Sequence, residues 1–214
     1  MKHIIKNPEP AELLDWKATD RFYIKGDPRW GRIPATVKEV VRESLKAEQG
    51  GICCYCERYL QANDYHIEHI KPKGIKVYDN LLAEYENLLC CCQFELQHGH
   101  PRHCGNSKGS WYDDTLFVSP LHIGCEDRFS YTFDGYIEPT DPNDTAAATT
   151  IFRLQLDIPK LRALRQSLIR TLEEFPPEEL TDFVRGYLAD KSENDGEFGQ
   201  FYTTIKQLFG HLII

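Results

Sequence analysis

The residues with chemical reach lie between positions 53 and 108. Cys53 and Cys56 stand two residues apart, a spacing that lets both thiolates reach one tetrahedral zinc ion. Cys92 and Cys104 complete a set of four, although eleven residues separate them. Cys90 and His103 are the alternatives for that second pair, because adjacent Cys90, Cys91 and Cys92 cannot all face one metal. Cys54, Cys91 and Cys125 read as small buried apolar residues. Between the pairs lie Glu68, His69 and Asn87, and after them Asn106. Phosphodiester hydrolysis needs a base for the nucleophile and a cation for the charge that develops. Magnesium takes oxygen ligands, and Glu68 and Asn106 offer two. An imidazole titrates near neutrality, so His69 suits the base. The amide of Asn87 can cross-link neighbouring loops and fix the His69 strand. Lys71, Lys73 and Lys108 are placed to meet phosphates. Neighbours on a strand face opposite ways, so Glu68 and His69 converge only if the chain bends at the strand end, which Pro72 favours. His66 shares the Glu68 face and is the reserve candidate.

The elements that must carry these groups are legible in the apolar pattern. Residues 1–33 read as a loose arm with a short helix from Ala11 to Ala18. Pro34 suits a helix start, and Val37, Val40, Val41 and Leu45 recur at helical spacing until Gly50-Gly51 ends the run. Residues 52–70 read as a hairpin or ribbon, with Tyr65 to Ile70 alternating like a strand. Residues 87–111 read as loop, with His98, His100 and His103 clustered there. Two or three short strands are expected between Asp113 and Pro139, turning at Asp134-Gly135. A helical pair interrupted near Pro159 follows, then helices from about Glu178 to Ala189 and Phe198 to Phe209. The expected class is α+β. Its parts are N-terminal arm and helices over 1–51, a zinc-supported module over 52–140, and a helical region over 141–214.

Charge divides the chain. Residues 1–111 carry a net +1 and residues 112–214 a net −9. Nucleic-acid binding gains much of its affinity from Lys and Arg on phosphates. The acidic half cannot supply that, so any nucleic acid must meet the N-terminal half, with a basic partner adding affinity. No apolar run approaches the ~18 residues of a membrane span, and the first residues lack an apolar signal core. A cytoplasmic protein is expected, with no membrane contact. There, eight cysteines argue for metal ligands rather than disulfides.

The order of these motifs resembles the HNH endonucleases. Cys53-x-x-Cys56, then Glu68-His69-Ile70-Lys71-Pro72, then Asn87-Leu88, then Cys92, and Cys104-Gly105-Asn106-Ser107-Lys108 carry the likeness. Phe117-Val118-Ser119-Pro120-Leu121 and Cys125-Glu126 extend it toward the PtuB-type proteins of Septu anti-phage defence and their retron-associated versions. The resemblance implies a ββα-metal fold with structural zinc on Cys53, Cys56, Cys92 and Cys104. It implies that His69 is the general base, that Glu68 and Asn106 hold catalytic magnesium or manganese, and that Asn87 is structural. It also implies a PtuA-like ATPase partner and, for some members, a retron reverse transcriptase with its msDNA. The reaction expected is endonuclease cleavage, with DNA ahead of RNA as substrate. This sequence departs from the pattern in its long Cys92–Cys104 gap and in Gly105, which separates Cys104 from Asn106. The alternative is a zinc-ribbon adaptor that binds nucleic acid or protein without cutting. No phosphate-cradling glycine loop is present, so ATP hydrolysis is not expected of this chain.

Overall fold

The computed structural model describes residues 1–26, 29–62, 64–94 and 99–213. His98 lies outside the described residues. Helix α1 (Ala11–Thr19) and the single turn α2 (Arg21–Ile24) open the chain, and α3 (Ala35–Glu48) follows. Helix α3 buries Val41 and Leu45 along the predicted apolar stripe. Pro34 sits one residue earlier than expected, at the N-cap.

The first 33 residues are not a loose arm. Met1, Ile4, Leu13, Trp16 and Ile33 all enter the main core. The Ile4 amide donates to the Pro120 carbonyl at 2.9 Å. Buried Lys17 pairs with Glu9 at 2.6 Å and Glu84 at 3.2 Å, and the Tyr23 hydroxyl donates to Glu84 at 2.7 Å. The arm therefore backs the segment that leads into Asn87.

Strand β1 (Tyr65–His69) pairs antiparallel with β2 (Leu88–Cys92), with Tyr65 opposite Cys92 and His69 opposite Leu88. The expected hairpin within 52–70 reduces to one bridge, Ile52 to Tyr59, around the cysteine knuckle. The strand partner comes instead from the segment read as loop. Every residue of β2 is buried, so it shows a continuous apolar run instead of alternation. Gln49 locks the knuckle to β2: its amide nitrogen donates to the carbonyls of Ile52 and Cys90, and its oxygen accepts from the Cys90 amide. A second unexpected element is the one-turn helix α4 (Gly105–Lys108), which follows Cys104.

Strands β3 (Phe129–Tyr131) and β4 (Ile137–Pro139) form a small hairpin turning at Asp134-Gly135 as anticipated. Helices α5 (Thr145–Leu154) and α6 (Pro159–Glu173) are separated at Pro159, and α7 (Pro177–Tyr187) and α8 (Tyr202–Phe209) complete the chain. The cysteine-rich core continues through Ala147, Leu154, Leu156 and Leu161. A smaller core of Ile169, Leu172, Val184, Ile205 and Phe209 joins α6, α7 and α8. The two buried clusters meet along α6, with Leu161 in one and Ile169 in the other. Among the described residues no helix is long and apolar enough to cross a membrane.

Candidate active site and cysteine cluster

Six donors collect in the core: Cys53, Cys56, Cys91, Cys92, His103 and Cys104. They form two overlapping quartets, Cys53–Cys91–Cys92–Cys104 and Cys56–Cys92–His103–Cys104, each with its donor atoms within 4.8 Å of one another. The Cys56 and Cys92 sulfurs are 3.7 Å apart, and His103 Nδ1 lies 3.1 Å from Cys104 Sγ. A buried thiol and imidazole set of this size fits zinc. Burial pushes the thiols of Cys56 and Cys104 well up, whereas the surrounding thiols outweigh burial and hold Cys53 well down. Metal ligation requires the thiolate form, so only a cation would let the neighbouring thiols ionise beside Cys53. Burial lowers His103 to about 4, so its ring is neutral and able to ligate.

The four cysteines expected from the sequence are all present, but the grouping is wider. Cys91 does not behave as apolar filler. Its sulfur lies 3.9 Å from that of Cys53 and accepts from the Gly105 amide at 3.2 Å. Cys90 instead directs its thiol to the Arg42 carbonyl, and Cys125 packs against the Met1 and Pro120 carbonyls. Cys104 takes a positive φ of 55°, unusual for a side-chain-bearing residue, and its amide donates to the Leu154 carbonyl at 2.7 Å. That strained step turns the chain from the cluster into α4.

Glu68 and His69 leave β1 toward different neighbours, as strand alternation requires. Glu68 is buried. Its Oε1 accepts from Lys108 Nζ at 2.8 Å and from the Tyr55 hydroxyl at 3.3 Å, while its Oε2 lies 3.8 Å from His66 Nε2. Burial raises its pKa, but His66 and Lys108 outweigh burial and leave the carboxylate ionised below its ordinary range. Gly105 forms the opposite wall. A Cβ there would sit 2.6 Å from Glu68 Oε2 and 3.2 Å from His66 Nε2. The missing side chain leaves a cradle at the carboxylate oxygen that Lys108 does not use. A carboxylate, an amide from Asn106 and a nearby imidazole fit a divalent ion. Asn106 is oriented by a hydrogen bond from its Nδ2 to the Gln93 carbonyl.

His69 is 3% exposed. Its Nε2 lies 3.1 Å from the Leu82 carbonyl, which can only accept, so Nε2 carries the hydrogen and Nδ1 the lone pair. Nδ1 is buried without a hydrogen-bond partner. Burial first, and then the charge of Lys73, lowers this imidazole to about 4, which keeps it neutral at physiological pH. The Trp30 ring meets it edge-on at 4.7 Å. Asn87 spans the loops beside it: its oxygen accepts from the Lys71 amide at 2.8 Å, and its nitrogen donates to the Lys71 and Leu81 carbonyls at 3.1 Å.

The three lysines differ in placement. Lys108 is buried between Glu68 and the His69 carbonyl, so it ties the two residues together instead of presenting its ammonium at the surface. Lys71 is partly exposed beside Asp114 and over the Tyr78 and Tyr112 rings, and Lys73 is exposed beside Trp30. An open groove of about 400 Å³ brings His66, Lys73 and Asn106 together with Trp30, Lys38, Arg42 and Phe94. The last four were not evident from sequence. Single cations on a helix and an aromatic residue in an irregular segment carry no spacing signature.

No family model matches the chain. It is similar to a curated protein of Vibrio cholerae serotype O1 biovar El Tor named "Retron Vc95 putative HNH endonuclease". The two are 34% identical over 141 residues, which cover 64% of this chain and 66% of that relative, a little under two thirds of its length. The likeness to HNH endonucleases carried by the sequence motifs, and its retron context, are thus matched by a curated relative.

Proposed function

We propose that this chain is a metal-dependent HNH endonuclease that acts as the nuclease subunit of a retron-type anti-phage system. The observation that carries the reading is the tautomer of His69: its Nε2–H is fixed on the Leu82 carbonyl, which leaves Nδ1 as the ring atom able to take a proton, with burial weakening it as a base. In this reading β1, β2 and α4 are the ββα-metal unit and the cysteine cluster holds structural zinc. Glu68 Oε2 and Asn106 hold magnesium or manganese in the cradle left by Gly105. The bound ion supplies charge stabilisation at the phosphate and the departing oxygen. His69 takes the proton from the attacking water. Asn87 keeps the end of β1 in register with the 81–82 segment. Lys71 and Lys73 contact phosphates, while Lys108 fixes the Glu68 rotamer.

The retron context comes from the curated relative's name, and the ATPase partner comes from the PtuB-type motifs. The near-neutral N-terminal half and the acidic C-terminal half suit a nuclease that relies on a partner for part of its nucleic-acid affinity. The test is cleavage of end-labelled DNA and RNA in magnesium or manganese, with and without a co-purified ATPase. His69→Ala should lose about 10²-fold or more in rate while remaining folded and zinc-loaded. Equal rates in both proteins would overturn the assignment.

A further inference from the structure

Beside the proposed catalytic residues lies the groove of about 400 Å³ lined by Trp30, Lys38, Arg42, Phe94 and Lys73, with His66 and Asn106 at the same wall. Its aromatic residues differ in access: Phe94 is 61% exposed, whereas Trp30 is half-buried and perpendicular to the His69 ring. Its cations surround Trp30: Lys38 Nζ lies 5.3 Å and Lys73 Nζ 5.9 Å from the ring centroid. Burial and the like charge of Lys73 both disfavour the charged form of Lys38, a repulsion that an anion between them would relieve. The acidic lining residue Glu39 is paired with Arg42.

This combination selects among nucleic acids. A base inside a duplex hides both faces in the stack and offers nothing to an aromatic side chain. An unpaired base exposes a π-face, and aromatic residues interleaved with cations are how proteins hold single strands. The groove is also of the size that takes one small-molecule-sized group, about 300–1,000 Å³. We propose that this groove binds an unpaired nucleotide of the substrate, with Trp30 and Phe94 against the base and Lys38 and Lys73 on the phosphates, so that the enzyme cuts in or next to single-stranded segments. This deepens the nuclease reading and rests on it for the word substrate only, because binding is measurable without cleavage.

The experiment is fluorescence anisotropy with the full chain in buffer without added magnesium or manganese. The probes are labelled single-stranded DNA, single-stranded RNA and the duplex of each, in one sequence. Single strands of either polymer should bind at least about tenfold more tightly than their duplexes, and the DNA and RNA arms name the polymer. Phe94→Ala and Trp30→Ala should each weaken single-strand binding by about fivefold or more. Phe94→Ala is decisive because its exposed ring can be removed without touching His69. Lys38→Ala with Lys73→Ala should reduce the slope of log K against log salt by about 1.4 for single strands. Duplex binding as tight as single-strand binding, no binding of any probe, or an unchanged affinity in Phe94→Ala would overturn the proposal. A failure of His69→Ala to lose cleavage would leave these binding results standing and remove only the nuclease reading.

Discussion

At the scale of single residues, the cradle at position 105 is the sharpest constraint. A methyl group there would approach Glu68 Oε2 to 2.6 Å, so Glu68 must move. In the proposed reading, Gly105→Ala should therefore weaken manganese binding, read by electron paramagnetic resonance, by tenfold or more, and should cost some stability as Glu68 shifts on Lys108 and Tyr55. Lys108 is the converse case. Removing its ammonium leaves a buried carboxylate without its nearest cationic partner. Lys108→Met should destabilise the fold by about 3–5 kcal/mol in urea titrations, the cost of an uncompensated buried charge. A merely phosphate-contacting lysine would show no such loss. The sequence singled out Glu68, His69, Asn87 and Asn106 because their types and order are distinctive. It did not reveal that Lys108 is buried against Glu68 or that Cys91 joins the thiol cluster. Those placements depend on the pairing of β1 with β2 and on the strained step at Cys104.

Between elements, the fold is held by contacts that join distant segments. The helices were legible because apolar residues recur with their period and prolines mark their ends. Strand β2 and helix α4 were not: β2 is buried on both faces, and α4 is a single turn defined by its neighbours. Both are pinned to the cysteine cluster, so if the cluster holds zinc as proposed, a strong chelator should unfold the β1–β2 pair cooperatively, seen as loss of far-ultraviolet circular dichroism. Glu126 joins the N-terminal segment to α8. Burial raises its pKa, but Lys206, the His3 amide and Lys2 outweigh burial and bring it from 4.5 to about 2. The folded value is the lower one, so its stabilisation is full above pH 4.5 and is lost as pH falls toward 2. Glu126→Gln should lower stability at pH 7, and the gap between the two proteins should close between about pH 5 and pH 2, measured by urea unfolding at each pH.

Across the whole molecule, the C-terminal helices are tied into the site rather than appended to it. Phe201 donates its amide to the Glu57 carbonyl at 2.9 Å, and the Thr203 amide donates to the Glu57 carboxylate at 2.8 Å, next to the cysteine knuckle. Removing residues 176–214 would strip that support, so a truncated chain would confuse loss of docking with loss of folding. The acidic surface allows a cleaner separation. Glu178, Glu179 and Asp182 are exposed on α7, away from its buried residue Val184. Glu178 and Glu179 lie in the first turn of α7 and Asp182 pairs with exposed Arg185, interactions worth about 0.3–1 kcal/mol each. If the acidic half of the chain meets a basic face on the proposed ATPase partner, reversing all three to lysine should lower the melting temperature by only a few degrees. It should also slow association with the partner at low salt, with the difference shrinking as ionic strength rises. Surface plasmon resonance across a salt series reads both quantities. An association rate that ignores the reversal at every salt concentration would move the docking face off α7 and leave these helices as support for the cysteine knuckle.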